Sequence, residues 1–465
     1  MISNRAEPMS PNTDPRDTQL KQTWRAMLAV WACSLVFAAT TTSAQEPGEQ
    51  RSSDRPNIVL IMADDMGFEC IGANGSLDYQ TPNIDRIASE GLRFEHCYSQ
   101  PICTPSRVKL MTGMTNKRNY VKFGMLDRKQ TTFAHLLKSA GYRTCIAGKW
   151  QLGSELDSPQ HFGFEESLLW QHTRGRMDNK KRDTRYPNPR LERNGTEENY
   201  NEGEFSSDLF ADFLCEFMET NRDQPFLAYY PMTLVHCPFC PTPDSEDWDP
   251  NSHGSKTYKG RPEYFGDMVA YVDKIVGRID QKLGELGIRE NTLLIFTGDN
   301  GTDKPIVTQT RFGEVVGAKG EMVDAGNHVT CIAKWPGAIP PGRVTSQIID
   351  FSDFLPTMCD VADADVPAKL AIDGQSFLPV LRGNEGQGRE SIFMWYERNG
   401  KPKKAREFAR NQRYKLYGDG SFFDVEMDRN EQSPLQSLTD DQKEIRSQLQ
   451  AKIDSFANII PPQAR

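Results

Sequence analysis

Nowhere does this 465-residue sequence hold the ~20 consecutive apolar residues that a membrane-spanning helix needs; its longest apolar run, Ala26 to Ala39, falls short. A cationic excess is missing too. The 55 lysines and arginines face 64 aspartates and glutamates, a formal charge of −9, which excludes the broad basic surface of a nucleic-acid binder. No internal repeat is visible, so a solenoid or propeller is excluded. Cysteines are few and scattered: of the ten, only Cys237-Pro-Phe-Cys240 has metal-site spacing, and lacking a second half it reads as structural rather than as a zinc site. What remains, 26% charged and 37% hydrophobic, is the composition of a soluble globular protein long enough for two or three folding units.

At the N-terminus, Lys21 and Arg25 precede the run from Ala26 to Ala39, and Thr42-Ser43-Ala44 offers a small-residue cleavage site. This pattern predicts a signal peptide over residues 1–44 and a mature chain starting near Gln45. The protein is then exported, periplasmic or secreted, with no stable membrane insertion after cleavage. Cys33 leaves with the signal. Setting Cys103 aside, the other eight cysteines form an even set that an oxidising compartment could pair, in pairings the sequence does not define.

From Pro56 onward apolar strand-like runs alternate with amphipathic stretches, which predicts an α/β domain built on a largely parallel sheet. Strands are expected at 57–62, 144–147, 226–230 and 292–297, and helices at 81–91, 132–139, 208–221 and 266–286. The 208–221 segment puts Leu209, Phe210, Phe213, Leu214, Phe217 and Met218 on one face. Between Ser154 and Phe205 the chain is polar and holds a basic cluster from Arg174 to Arg185, so it reads as a long loop or insertion. After Gly374 come short β-rich pieces and a final helix near 440–456. These divide the chain into a large domain, 55–375, and a smaller α+β unit with an antiparallel sheet, 376–465.

Two acidic pairs lie at the carboxyl ends of predicted strands: Asp64-Asp65 after the first, and Asp299-Asn300 after the strand at 292. In open α/β sheets ligands bind at that edge, so the four oxygen-bearing side chains can converge on Ca²⁺ or Mg²⁺. Adjacent carboxylates repel unless a cation neutralises them. Either pair alone is equally well a turn or helix cap; together they favour a metal.

The most specific segment runs from Cys103 to Gly113, Cys-Thr-Pro-Ser-Arg-Val-Lys-Leu-Met-Thr-Gly. It resembles the signature of the type I sulfatases, members of the alkaline phosphatase-like superfamily, in which the cysteine of C-x-P-S-R is oxidised to formylglycine by a maturation enzyme. The resemblance implies that residue 103 becomes a geminal diol. One hydroxyl, activated by the metal and by Arg107, attacks sulfur, and the second later expels sulfate, which a serine could not do. Calcium is the cation implied, with residue 103 as a further ligand, and the oxygen-rich set permits magnesium. Val108 stands where the family usually has a small residue.

Further segments match the family in order. Gly148-Lys149-Trp150-Gln151-Leu152-Gly153 resembles G-K-W-H-L-G, whose lysine contacts sulfate and whose histidine contacts the formylglycine hydroxyl. Gln151 replaces that histidine; it can hydrogen-bond but cannot take up the proton a histidine base would. His236, in Val-His-Cys-Pro-Phe, matches the histidine that binds sulfate and helps protonate the leaving oxygen. Lys319 matches the second sulfate-binding lysine, in a K-G…E-G-G-x-R-V segment where Asp324, Ala325 and His328 replace Glu, Gly and Arg.

The resemblance thus implies a sulfatase acting on a sulfated carbohydrate. Two alternatives stay open: a phosphate-ester or phosphonate hydrolase of the same superfamily, and a non-catalytic binder of sulfated glycans. A second basic stretch, Arg398 to Arg413, reads either as a solvated face or, with the 174–185 cluster, as the lining of a polyanion groove.

Overall fold

In the computed structural model, which describes residues 55–384 and 388–464, the layering starts from one strand. β1 (Asn57–Ala63) is buried at every position, and its side chains alternate between two cores. Ile58, Leu60 and Met62 enter one, and Val59, Ile61 and Ala63 the other. A strand apolar on both faces belongs in the middle of a sheet covered on both sides.

That sheet has ten strands. Beside β1 it contains β2 (Leu92–Tyr98), β3 (Arg143–Lys149), β4 (Glu166–Trp170), β5 (Arg190–Arg193), β6 (Thr196–Asn199), β7 (Phe226–Pro231) and β8 (Thr292–Gly298). A separate hairpin, β9 (Val307–Thr310) and β10 (Gly313–Val316), precedes the last two, β11 (His328–Lys334) and β12 (Arg343–Asp350). Their order is β12-β2-β11-β8-β1-β7-β3-β4-β5-β6. From β8 through β4 every pairing is parallel, as is β12 with β2. β11 runs against both neighbours, and β4-β5-β6 is antiparallel. The sheet is therefore mixed and mostly parallel.

Helices α1 (Pro82–Ser89), α4 (Ser206–Thr220) and α5 (Phe265–Glu285) share the core of Val59 and Ile61. Helices α2 (Cys103–Thr112), α3 (Phe133–Ser139) and α6 (Phe354–Ala362) share the core of Ile58 and Leu60. Against this second core sits a small antiparallel sheet of β13 (Ile392–Tyr396), β14 (Arg406–Arg410), β15 (Tyr414–Tyr417) and β16 (Phe422–Asp424). Its helix α7 (Asp440–Asp454) adds Leu449 and Ile453, and Phe456 beyond it stacks on Phe393 at 4.2 Å between ring centroids.

The segment 154–205, expected as a loop, instead extends the sheet through β4, β5 and β6. Its polarity follows from its place at the edge: β6 is mostly exposed, and Arg193 pairs with Glu198 across the hairpin at 2.8 Å. Asn194 and Gly195, both at positive φ, make the two-residue turn between β5 and β6. The nine cysteines of the described residues are all free, and among those residues no helix is long and apolar enough to cross a membrane. The segment 1–44 expected as a signal peptide, with Cys33, lies outside the described residues.

Gly148, near the end of β3, carries φ +119°, and a Cβ there would come within 2.1 Å of the Pro231 carbonyl oxygen. Only glycine fits, so β3 can deliver Lys149 to the sheet edge against β7. Gly148→Ala is expected to destabilise the protein by about 1–3 kcal/mol or more, read as a lowered thermal midpoint.

Candidate active site

The carboxyl ends of β1 and β8 lie side by side because the two strands pair in parallel, with Ala63 opposite Gly298. Asp64, Asp65, Asp299 and Asn300, the next residues on each strand, are therefore brought together, and all are buried. The Asp299 amide donates to the Ala63 carbonyl at 2.8 Å, and the Asp65 amide to Asp299 Oδ1 at 3.0 Å. Asn300 Nδ2 donates to Asp65 Oδ1 at 2.8 Å.

Three cations converge on these acids from three different elements. Arg107 lies one turn along α2 from Cys103; its Nη2 is 3.2 Å from Asp299 Oδ2 and 3.9 Å from Asp64 Oδ2, and its Nη1 donates to the Lys149 carbonyl at 2.9 Å. Lys149, at the end of β3, reaches Asp64 Oδ2 at 2.6 Å. Lys319, from the loop before β11, pairs with Asp65. Cys103, the first residue of α2, is 1% exposed, and its thiol donates to Gln151 Oε1 at 2.9 Å. Gln151 holds a left-handed backbone, φ 55°, directly after the strand. His236 completes the group, its Nε2 3.7 Å from Asp65 Oδ2. All ten sequence-predicted site residues thus meet at one sheet edge.

Burial dominates the electrostatics. It pushes the Asp299 carboxyl up to about 8, with the neighbouring Asp64 adding to the effect. Asp65 is raised by burial against the pull of Lys319. For Asp64 burial acts upward as well, but Lys149 and Arg107 outweigh it and hold the carboxyl below its ordinary value. His236 is kept neutral by burial, by Lys319 and by Arg185.

The donor set fits a hard cation. Asp64 Oδ1 and Asn300 Oδ1 are buried without a hydrogen-bond partner. Ligand atoms of Asp64, Cys103 and Asp299 lie within 4.8 Å of one another, as do those of Asp64, Asp65 and His236. Unsatisfied carboxylate and amide oxygens in so small a space suit Ca²⁺ or Mg²⁺ better than a sulfur- or imidazole-seeking metal.

In the sequence Arg185 is only one member of the basic cluster from Arg174 to Arg185. Arg185 is buried, stacks 4.2 Å over the Trp170 ring, and donates to His236 Nδ1 and to the Cys237 carbonyl, fixing the imidazole. Its sequence context carries no signal for this. Cys103, Lys149, Gln151, Arg185, His236 and Lys319 line a cleft of about 640 Å³ whose rim includes Phe123, Tyr258 and Tyr396.

A family model described as "Sulfatase" matches residues 56–364, and one described as "N-sulphoglucosamine sulphohydrolase, C-terminal" matches 318–458. Arylsulfatase A of Homo sapiens is 32% identical over 384 residues, covering 73% of this chain and 70% of that protein. N-acetylgalactosamine-6-sulfatase of Mus musculus is 31% identical over 378 residues, 74% of this chain and 69% of that one. A solved protein in complex with its substrate D-glucosamine-2-N,6-O-disulfate superposes with a TM-score of 0.71 at 23% identity, over 88% of this chain and 100% of that chain.

If the orphaned oxygens await a cation, then adding Ca²⁺ to chelator-treated protein raises its thermal midpoint, by about 2.7 kcal/mol of stability at a hundredfold excess over Kd. Because the ion must displace a proton from Asp299, its affinity falls as pH drops below about 8. Asp64→Ala should abolish the calcium-dependent shift; a shift that persists in this variant places the ion elsewhere.

Proposed function

The chain belongs to the sulfatase family, whose members hydrolyse sulfate esters, and from this we propose that it is an exported hydrolase of a sulfated carbohydrate, using formylglycine at residue 103 and one divalent cation, calcium by preference. The observation that carries this reading is the setting of Cys103. It sits buried at the head of α2, on the floor of a cleft, beside the acids that fit a cation and between two lysines and a histidine.

Formylglycine supplies a hydroxyl pair at residue 103 in place of a thiol. The cation, when bound, lowers the pKa of such a hydroxyl and draws charge from the sulfate. We assign its ligands as Asp64, Asp65, Asp299, Asn300 and residue 103. The rest falls to this chain's own side chains. Lys319 stays protonated, since its neighbours Asp65 and Asp64 outweigh the burial that opposes its charge. With Lys149 it offers the sulfate oxygens fixed cations in a water-poor site. Arg107, held by Asp299 and the Lys149 carbonyl, sits one helical turn from residue 103 and adds positive charge beside it. His236, pinned by Arg185 through Nδ1 and kept neutral, offers its Nε2–H as a hydrogen-bond donor to the leaving oxygen.

Gln151 accepts a hydrogen bond from residue 103 but takes up no proton. Regeneration of the aldehyde therefore passes its proton to water in the cleft or to another group. The solved protein of this fold bound to its substrate D-glucosamine-2-N,6-O-disulfate supports a carbohydrate as substrate.

Protein made in its own host, or with a competent maturation enzyme, should carry formylglycine in the Cys103 peptide by mass spectrometry. Cys103→Ala should abolish sulfate release, and Lys319→Ala should lower turnover by about 10²–10³. Sulfate release that survives Cys103→Ala would refute this mechanism, and a phosphate ester cleaved faster than any sulfate ester would favour the phosphohydrolase alternative.

A further inference from the structure

The mouth of the cleft is more cationic than one sulfate ester requires. The floor lysines, Lys149 and Lys319, already serve the ester to be cut. Further out, two arginines from distant parts of the chain lie on aromatic rings: Arg176, between β4 and β5, at 4.6 Å over Tyr258, and Arg398, after β13, at 4.7 Å over Phe123. A guanidinium stacked on a ring is held in place while its in-plane N–H groups stay available to a planar or tetrahedral anion.

The acids that share this rim are already engaged. Asp303 pairs with Lys259, and Glu321 with Lys304 at 2.6 Å. Arg176 has one acidic neighbour, Asp183 at 3.6 Å, while Arg398 has no carboxylate partner among the described residues. In a protein of formal charge −9, an arginine left without an acid beside a cleft is a recognition feature rather than an average of the surface.

We propose that the cleft mouth is a second anion subsite, so that the substrate carries, besides the sulfate that is cut, a further carboxylate or sulfate seated by Arg176 and Arg398. This rests on the sulfatase reading above and narrows it to a saccharide bearing at least two anionic groups. Of the two basic segments, Arg176, Arg185 and Arg398 line the cleft, while several other members are engaged elsewhere. Arg174 pairs with Glu192 and Glu197, Arg182 with Asp178, Arg413 with Asp424, and Arg410 is buried against Asp324. The cleft, at about 640 Å³, lies within the roughly 300–1,000 Å³ of small-ligand pockets. Either guanidinium can donate two parallel N–H···O bonds to a carboxylate or to a sulfate, so the two chemistries share one design.

The test uses the full, formylglycine-bearing enzyme and three matched disaccharides: one with a single sulfate, one with a second sulfate, and one with a uronate carboxylate in its place. The wild type should prefer at least one dianionic substrate by tenfold or more in kcat/KM, chiefly through KM. Arg398→Gln and Arg176→Gln should each reduce that preference severalfold, with unchanged thermal midpoints showing that the fold is intact. Loss confined to the disulfated arm assigns a second sulfate, and loss confined to the uronate arm assigns a carboxylate. Equal kcat/KM for all three, or a preference untouched by both substitutions, overturns the subsite alone. If formylglycine-bearing enzyme releases sulfate from none of the three, the reading of the substrate as a sulfated saccharide fails with it.

Discussion

Three carboxylates, Asp64, Asp65 and Asp299, are driven into one buried corner by the parallel pairing of β1 with β8, and much of the site is arranged around neutralising them. Charges of one sign at a few ångströms in a low-dielectric interior repel by several kcal/mol per pair even at an effective ε of about 20. The chain answers with cations from α2, from the end of β3 and from the loop before β11, one of them with two contacts: Arg107 spans Asp64 and Asp299. Each of these elements is in turn positioned by packing or by hydrogen bonds that do not depend on substrate. In the proposed function the same groups that balance the acids would also meet a sulfate oxygen, so structural neutralisation and anion recognition would use one set of side chains.

The small C-terminal sheet takes part in this arrangement. Arg410 of β14 pairs with Asp324, Lys415 of β15 donates to the Met322 carbonyl and to Glu431, and Glu431 accepts from the Asp324 amide at 2.9 Å. These contacts clamp the loop that carries Lys319. They also account for the residues that depart from the family pattern there. Asp324 serves Arg410 and lies 3.1 Å from His328 Nδ1, while His328 stacks on Phe68 at 4.2 Å and bonds the Glu95 carbonyl at 2.8 Å through Nε2. The altered stretch is thus internally satisfied. Burial holds Lys415 down to about 8, with Glu431 resisting the shift.

Much of this was legible in the chain. The apolar strand-like runs, the acidic pairs after two of them and the Cys103 segment are all local patterns that survive without coordinates. Where reading failed, the missing information was tertiary. The segment from Ser154 to Phe205 looked like a loop because an edge strand such as β6 needs no apolar alternation; its one local cue was the Asn194-Gly195 turn. Arg185 was indistinguishable from its basic neighbours, since only the fold places Trp170 beneath it and His236 beside it. Likewise, nothing local told Arg398, on the cleft rim, from Arg410, buried against an aspartate.

The burial of Cys103 sets an order of events. At 1% exposure, at the head of a helix packed under the sheet edge, the thiol is out of reach of any other protein's active site once the chain has folded. For the formylglycine proposed above, a maturation enzyme would therefore have to reach the segment from Cys103 to Gly113 before α2 has formed. Under that proposal such an enzyme would read sequence rather than shape, and the contiguity of Cys103, Pro105 and Arg107 would serve it as well as the site. Under the same proposal folding speed would compete directly with modification, and the fraction of active molecules would be decided during biosynthesis.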